Sequence, residues 1–196
     1  KIFPYVLPNL RVQNSDLKIE LLSLNNNEQM KALKKGDIDI AFTRHNFTSE
    51  EIESTFVLRE PLMFILPKDH PLAKYDRIPV KALNGIDFII PSSEQSYTLH
   101  HTILNFAKEH GIEFNIVQTA DNILFNINSI GMGLGCTILP AYITPLSMDH
   151  SVVRPLNVEL PQIDLYVSHR KDNTSNAVKR FMELLTRVFY LDFDRK

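Results

Sequence analysis

The sequence contains a single cysteine, Cys136. No intrachain disulfide can form, and a reducing compartment, the cytoplasm, is the expected setting. Long apolar runs are missing too. Nothing approaches the roughly 20 residues that a bilayer-spanning helix needs, so no membrane partner is expected. There is no basic excess: 21 Lys and Arg stand against 23 Asp and Glu, a formal net charge of -2. Chains that hold nucleic acid by its phosphates usually carry a positive balance, so this one is not expected to bind DNA itself. Internal repeats, low-complexity tracts and a secretory signal are also absent, and the chain opens at Lys1 without a methionine. A segment removed from upstream is therefore expected. What is present, 44% hydrophobic and 22% charged residues over 196 positions, is ordinary for a globular protein. The length suits one large domain or two lobes of roughly 90–100 residues, either able to bury a core unaided.

The clearest local pattern covers residues 17–42. Leu17, Ile19 and Leu21 alternate with Lys18 and Glu20, the period of a strand. Asn25, Asn26 and Asn27 then precede a helical stretch with Met30 and Leu33 on one face, which Gly36 ends. Ile38, Ile40 and Phe42 alternate as a second strand. The expectation is a strand–helix–strand unit with parallel strands. A second such block follows. Residues 86–90 read as a strand, 97–110 as a helix ending at Gly111, and 114–118 as a strand with Phe114 and Ile116 on one face. Residues 121–130 read as a helix, and 136–139 as a short strand stopped by Pro140. Between the blocks, 62–66 is an apolar strand before a proline-dotted connector. Near the C-terminus, 163–167 reads as a strand and 177–190 as an amphipathic helix. Residues 2–12 are apolar at helical spacing, with Pro4 and Pro8 marking a first turn and a kink.

The economical arrangement returns the last strand and helix to the first block. That predicts an α/β protein of two Rossmann-like lobes joined by two crossover strands, resembling type 2 periplasmic binding proteins. Lobe one spans 1–67 and 153–196, and lobe two spans 68–152.

In open parallel sheets ligands bind beyond the carboxyl ends of the strands. Polar clusters occupy those positions here: Asn25 and Asn26, Thr43 and Arg44, Ser92 and Ser93 through Tyr97 and Thr98, and Thr119 to Asn122. Three of them open helices, whose free N–H groups and positive dipole ends attract anions, and Arg44 adds a full charge. A small carboxylate in a cleft between the lobes is the expected ligand. The same asparagines and serines also serve as caps and turns, and one arginine is often only a solvated charge. Recurrence at equivalent positions favours the binding reading.

Other constellations carry less. The run Gly131-Met132-Gly133-Leu134-Gly135 lies after a helix and before a strand, the reverse of a dinucleotide fingerprint, and reads as a tight turn. His100 and His101 cannot share a helical face, and no residues complete a zinc pattern. Asp37 and Asp39 sit away from the cleft. With no Gly-x-Ser-x-Gly elbow and no cysteine–histidine pair, neither catalysis nor a cofactor is expected.

Four segments resemble, in order, LysR-type effector-binding domains. They are Ile19-Glu20-Leu21, the run from Leu33 through Gly36-Asp37-Ile38-Asp39-Ile40-Ala41-Phe42, Pro67-Lys68-Asp69-His70-Pro71-Leu72, and Gly131-Met132-Gly133-Leu134-Gly135 through Leu139-Pro140. Pro91-Ser92-Ser93 brings the likeness nearest to the benzoate- and muconate-sensing branch. The resemblance implies an effector cleft contacted by Asn26, Tyr97 and Thr98. It also implies a DNA-binding winged helix-turn-helix upstream of Lys1, and self-association as an antiparallel dimer or a tetramer of the full-length regulator. Asparagine stands where that branch commonly has a glycine–threonine pair, so the effector itself is not implied. The competing readings are a periplasmic solute-binding protein of a transporter and a two-lobed dehydratase or deaminase. A signal peptide upstream would mark the first, and a catalytic pair in the cleft the second.

Overall fold

The computed structural model describes residues 2–13, 17–146 and 150–193. The chain divides into two compact units, Lys1–Leu58 with Asp164–Lys196, and Arg59–Ile163. Two strands, β2 (Ile52–Pro67) and β7 (Gln162–Arg170), each run from one unit into the other. The seams expected at 67 and 153 lie at the ends of β2 and of β6 (Ser151–Val153), whereas this division falls inside β2 and β7.

In the first unit, α2 (Asn26–Lys35) begins at Asn25, whose side chain accepts from the Glu28 N–H while Glu28 reaches back to the Asn25 N–H. This reciprocal box satisfies two of the amide donors that a helix start leaves open. Gly36 ends the helix with φ 83°. The Arg170 guanidinium lies against it, where an added Cβ would collide, and donates to the Leu33 carbonyl at 3.4 Å. Met30 and Leu33 bury against Ala41 and Ile52. β1 (Ala41–Thr43) pairs antiparallel with β7, Ala41 opposite Ser168 and Thr43 opposite Tyr166. Buried Ser168 shares a 2.6 Å hydrogen bond with Ser54 of β2. Helix α1 (Ile2–Gln13) packs on α5 (Asn176–Phe193), with Val6 and Leu10 meeting Phe181, Leu184 and Leu185.

Residues 17–24 correct the expectation of a strand. They pair with nothing among the described residues, and Leu21 and Leu22 are 64% and 55% exposed. Period-2 alternation says which side chains would share a face, not whether a neighbouring strand offers a free edge. The expected parallel pairing therefore does not form, and β1 takes β7 as its partner. Asp37 and Asp39 lie in the turn before β1, and Asp39 accepts from the Asn173 amide at 3.0 Å.

The second unit does contain a parallel strand–helix–strand. β3 (Asp87–Pro91) and β4 (Asn115–Ala120) are joined through α3 (Tyr97–Glu109). Their register slips between Phe88 and Ile89, where Phe88 faces Ile116 but Ile89 faces Gln118. Phe114 and Ile116, expected on one face, part company. Phe114 is 8% exposed and stacks on Phe88 at 4.0 Å, while Ile116 is 42% exposed. Helix α4 (Ile123–Gly131) follows β4, and a turn with Gly133 at φ 78° leads to β5 (Thr137–Pro140). The glycine run is thus the tight helix-to-strand turn expected. Gly135 and Cys136 lie along β3: Cys136 donates to Asp87 and Ile89 donates to Cys136, both at 2.8 Å. β5 and β6 then pair antiparallel with the distal half of β2. Cys136 is fully buried, and loss of solvent, helped by nearby Asp87, pushes its thiol up to about 12.

His70 caps a short 3-10 turn, Pro71–Lys74, its Nδ1 accepting from the Leu72 N–H at 3.1 Å. Partial burial lowers its pKa, opposed in part by Asp87. Folding therefore favours the neutral ring. Its contribution is complete above the ordinary value near 6.5 and is lost as pH falls through the lower folded value. His70→Ala is expected to cost about 1 kcal/mol at pH 7.5 through the lost cap. It should also lessen the fall in stability between pH 7 and 5 in urea titrations. An unchanged pH slope would refute the role.

Candidate functional site

In the first unit, the candidate residues lie at the carboxyl end of β1 and the start of α2. Thr43 ends β1 with 1% exposure and donates its hydroxyl to the His45 carbonyl at 2.9 Å. Arg44 follows, half-buried. The Asn25 oxygen is engaged by its capping box, so the cap reading of Asn25 holds for that atom. Asn26, half-buried at the first helical position, presents its backbone N–H where the positive end of the α2 dipole lies.

In the second unit, Ser92 leaves β3 with its N–H on the Ala120 carbonyl at 2.9 Å, a link between the ends of β3 and β4. Its hydroxyl, on a residue 5% exposed, accepts from the Gln95 N–H at 3.2 Å, and the Ser96 N–H returns to the Ser92 carbonyl at 2.9 Å. These bonds wrap 92–96 into a turn that launches α3. Ser96 stands at the cap position without a side-chain cap bond. His100 Nδ1 lies 2.7 Å from the Pro91 carbonyl; the carbonyl can only accept, so the ring donates and pins the first turn of α3 to the end of β3. Ser93 is exposed, Thr98 half-buried, and Tyr97, 61% exposed, leans on the His101 ring at 4.2 Å. Asn122 caps α4 by accepting from the Phe125 N–H at 2.8 Å.

The structure thus brings Ser92, Ser93, Tyr97 and Thr98 into one turn at the carboxyl end of β3. It spends the Ser92 and Thr43 hydroxyls on backbone groups, and leaves Asn26, Ser93, Tyr97 and Thr98 with solvent-accessible surface. Among the described residues no group of three or more His, Cys, Asp or Glu could hold a metal ion. Two residues were not singled out by the sequence: His100 as the pin of α3, and Asn126, a polar residue on the face of α4 that also carries Ile123, Ile127 and Ile130. That polar interruption of an apolar stripe was visible in the sequence.

Two α/β units traversed by two shared strands define the two-lobed periplasmic-binding-protein-like fold. Residues 1–189 match the LysR substrate binding domain, and the chain belongs to that family. It is 33% identical over 184 residues to the Hca operon transcriptional activator HcaR of Escherichia coli (strain K12), covering 94% of this chain and 62% of HcaR. It is 30% identical over 197 residues to the HTH-type transcriptional regulator CatR of Pseudomonas putida, covering 95% and 64%. The chain therefore spans a little under two thirds of these regulators' length. Its homologues are transcriptional regulators rather than enzymes or transporter components, so the solute-binding alternative finds no support. The BenM effector binding domain with its effector benzoate superposes at a TM-score of 0.82, at 20% identity, covering 100% of this chain and 89% of that one. The QuiR effector binding domain in complex with shikimate gives 0.82 at 21% identity, covering 96% and 90%.

Proposed function

We propose that this chain is the effector-sensing domain of a cytoplasmic LysR-type transcription regulator, and that it recognises a small aromatic or dicarboxylic acid. In this reading an upstream winged helix-turn-helix makes the DNA contact, and the bound acid alters transcription. The observation that carries it is the turn at the end of β3, where Ser92, Ser93, Tyr97 and Thr98 gather at the start of α3. A helix start offers unpaired N–H groups to a carboxylate. Asn25, Asn26, Thr43 and Arg44 form the corresponding cluster of the first unit. Benzoate in BenM and shikimate in QuiR, both acids on the same fold, support the ligand class.

Calorimetry with benzoate, cis,cis-muconate and shikimate tests it. Hydrogen bonds to a charged group are worth about 1.5–3 kcal/mol. Asn26→Ala or Thr98→Ala should therefore weaken binding about ten-fold or more. Asp37→Ala, in the turn before β1, should leave affinity unchanged. If no acid binds, or if the Asp37 variant loses as much as the Asn26 variant, the site is misassigned.

The same reading includes self-association into a dimer, or a tetramer of the full-length regulator, through an interface of at least about 1,000 Å². Helices α1 and α5 bury Val6, Leu10, Phe181 and Leu184 against each other. Apolar surface remains on α3 and β4, at Leu104, Ile116 and Val117, and on α1 at Val12. A strictly monomeric mass by light scattering at high concentration, in the same samples, would contradict it.

A further inference from the structure

Asn126 is 1% exposed, on the face of α4 that meets the core with Ile123, Ile127, Ile130 and buried Ser129. Neither its amide nitrogen nor its amide oxygen has a hydrogen-bond partner among the described residues. The neighbouring polar groups are otherwise placed: Ser129 donates to the Phe125 carbonyl at 2.9 Å, the capping Asn122 holds the Phe125 N–H, and Asn128 is exposed to solvent. An unpaired buried amide is among the costlier things a core can hold, and leucine, branched at the same carbon, would carry no such cost. A group in this state calls for a partner that the surrounding side chains do not supply, a bound water or a ligand. Its position is informative. α4 starts three residues after β4 ends and packs on β3. The helix runs back along the sheet, so Asn126, one turn in, lies towards the carboxyl ends of the strands.

We infer that Asn126 is a specificity-determining ligand contact, and that the acid effector carries a hydroxyl group which this amide receives. The inference rests on the acid-sensing function proposed above. The chemistry selects the group. The amide presents a donor at Nδ2 and an acceptor at Oδ1, and a hydroxyl satisfies both because it accepts and donates at one oxygen. A carboxylate only accepts and would leave Oδ1 unpaired. A site built around a substrate hydroxyl rejects the analogue that lacks it, because the buried amide is then stranded.

The test compares benzoate, 3-hydroxybenzoate, 4-hydroxybenzoate and shikimate by calorimetry on the parent protein and on Asn126→Leu, with Asn126→Ala as the second variant should leucine not fold. The parent should bind at least one hydroxylated acid about ten-fold or more tighter than benzoate. Asn126→Leu should bring that ratio close to one while its affinity for benzoate stays within about two-fold. Without ligand, Asn126→Leu should melt at or above the parent temperature. If the parent binds benzoate and the hydroxylated acids equally, or if the variant keeps the preference, Asn126 holds an internal water or nothing and the inference is overturned while the acid-sensing function stands. If the parent binds none of the four acids but binds cis,cis-muconate, this inference alone falls; if it binds none of the five, the acid-sensing function falls with it.

Discussion

Phe88→Ala is expected to lower stability by about 3–5 kcal/mol, the range for truncating a core aromatic. Phe88 is fully buried in the middle of β3 and stacks on Phe114 with ring centroids 4.0 Å apart. Its backbone also bridges to Cys136 on the side opposite β4. Truncation removes the ring from the point where β3, β4 and the approach to β5 meet, and the strands cannot close in without breaking their ladders. The Phe114 ring would lose its stacking face at the same time. Guanidinium titration followed by circular dichroism reads the difference. A loss below about 1 kcal/mol would show that the site collapses freely, contrary to this packing.

Gly135→Ala is the second large effect, for a different reason. A Cβ added there would stand 2.8 Å from the Asp87 carbonyl oxygen and 3.0 Å from its carbonyl carbon. Both are backbone atoms of β3, so no side chain can swing aside to make room. The same stretch is fixed by the two 2.8 Å hydrogen bonds that join Cys136 to Asp87 and Ile89. Overpacking of this kind costs about 1–3 kcal/mol. Gly133→Ala is a useful comparison, because nothing lies within 4 Å of its added Cβ and only the φ of 78° resists the change. In parallel urea titrations Gly135→Ala should be the more damaging of the two. Equal losses would mean that the close approach to β3 contributes nothing.

These two positions also show how unevenly the sequence revealed the fold. The glycine run was legible as a turn because its order, helix first and strand second, is written in the flanking residues. Helix α2 was legible to within a residue or two, from the Asn25 cap and the Gly36 stop. Pairing was not legible. Residues 17–21 alternate as a strand does, yet alternation cannot tell whether an edge is available, and β1 finds its partner in β7, more than 120 residues away. β2 was visible only in its apolar end, because residues 53–61 interleave Glu53, Arg59 and Glu60 with apolar positions. The slip between Phe88 and Ile89, which leaves Val117 without an opposite residue, was invisible too.

The candidate site shows the same split. Its positions followed from a topological rule, so Ser92, Ser93, Tyr97 and Thr98 were found together. How each polar atom is used depends on bonds that no local pattern encodes. Thr43 turns its hydroxyl to the His45 carbonyl, and His100 anchors α3 to Pro91.

Cys136 has a practical consequence for anyone who wants to watch this protein at work. It is the chain's one thiol, sealed in the core and held protonated far above neutral pH. Thiolates attack maleimides and thiol-directed spin labels, so the buried, protonated native side chain stays silent towards them. A single cysteine placed at exposed Ser93 would then be the sole reactive sulfur, and a fluorophore there would report on the turn at the end of β3 with no background to subtract and no native residue to remove.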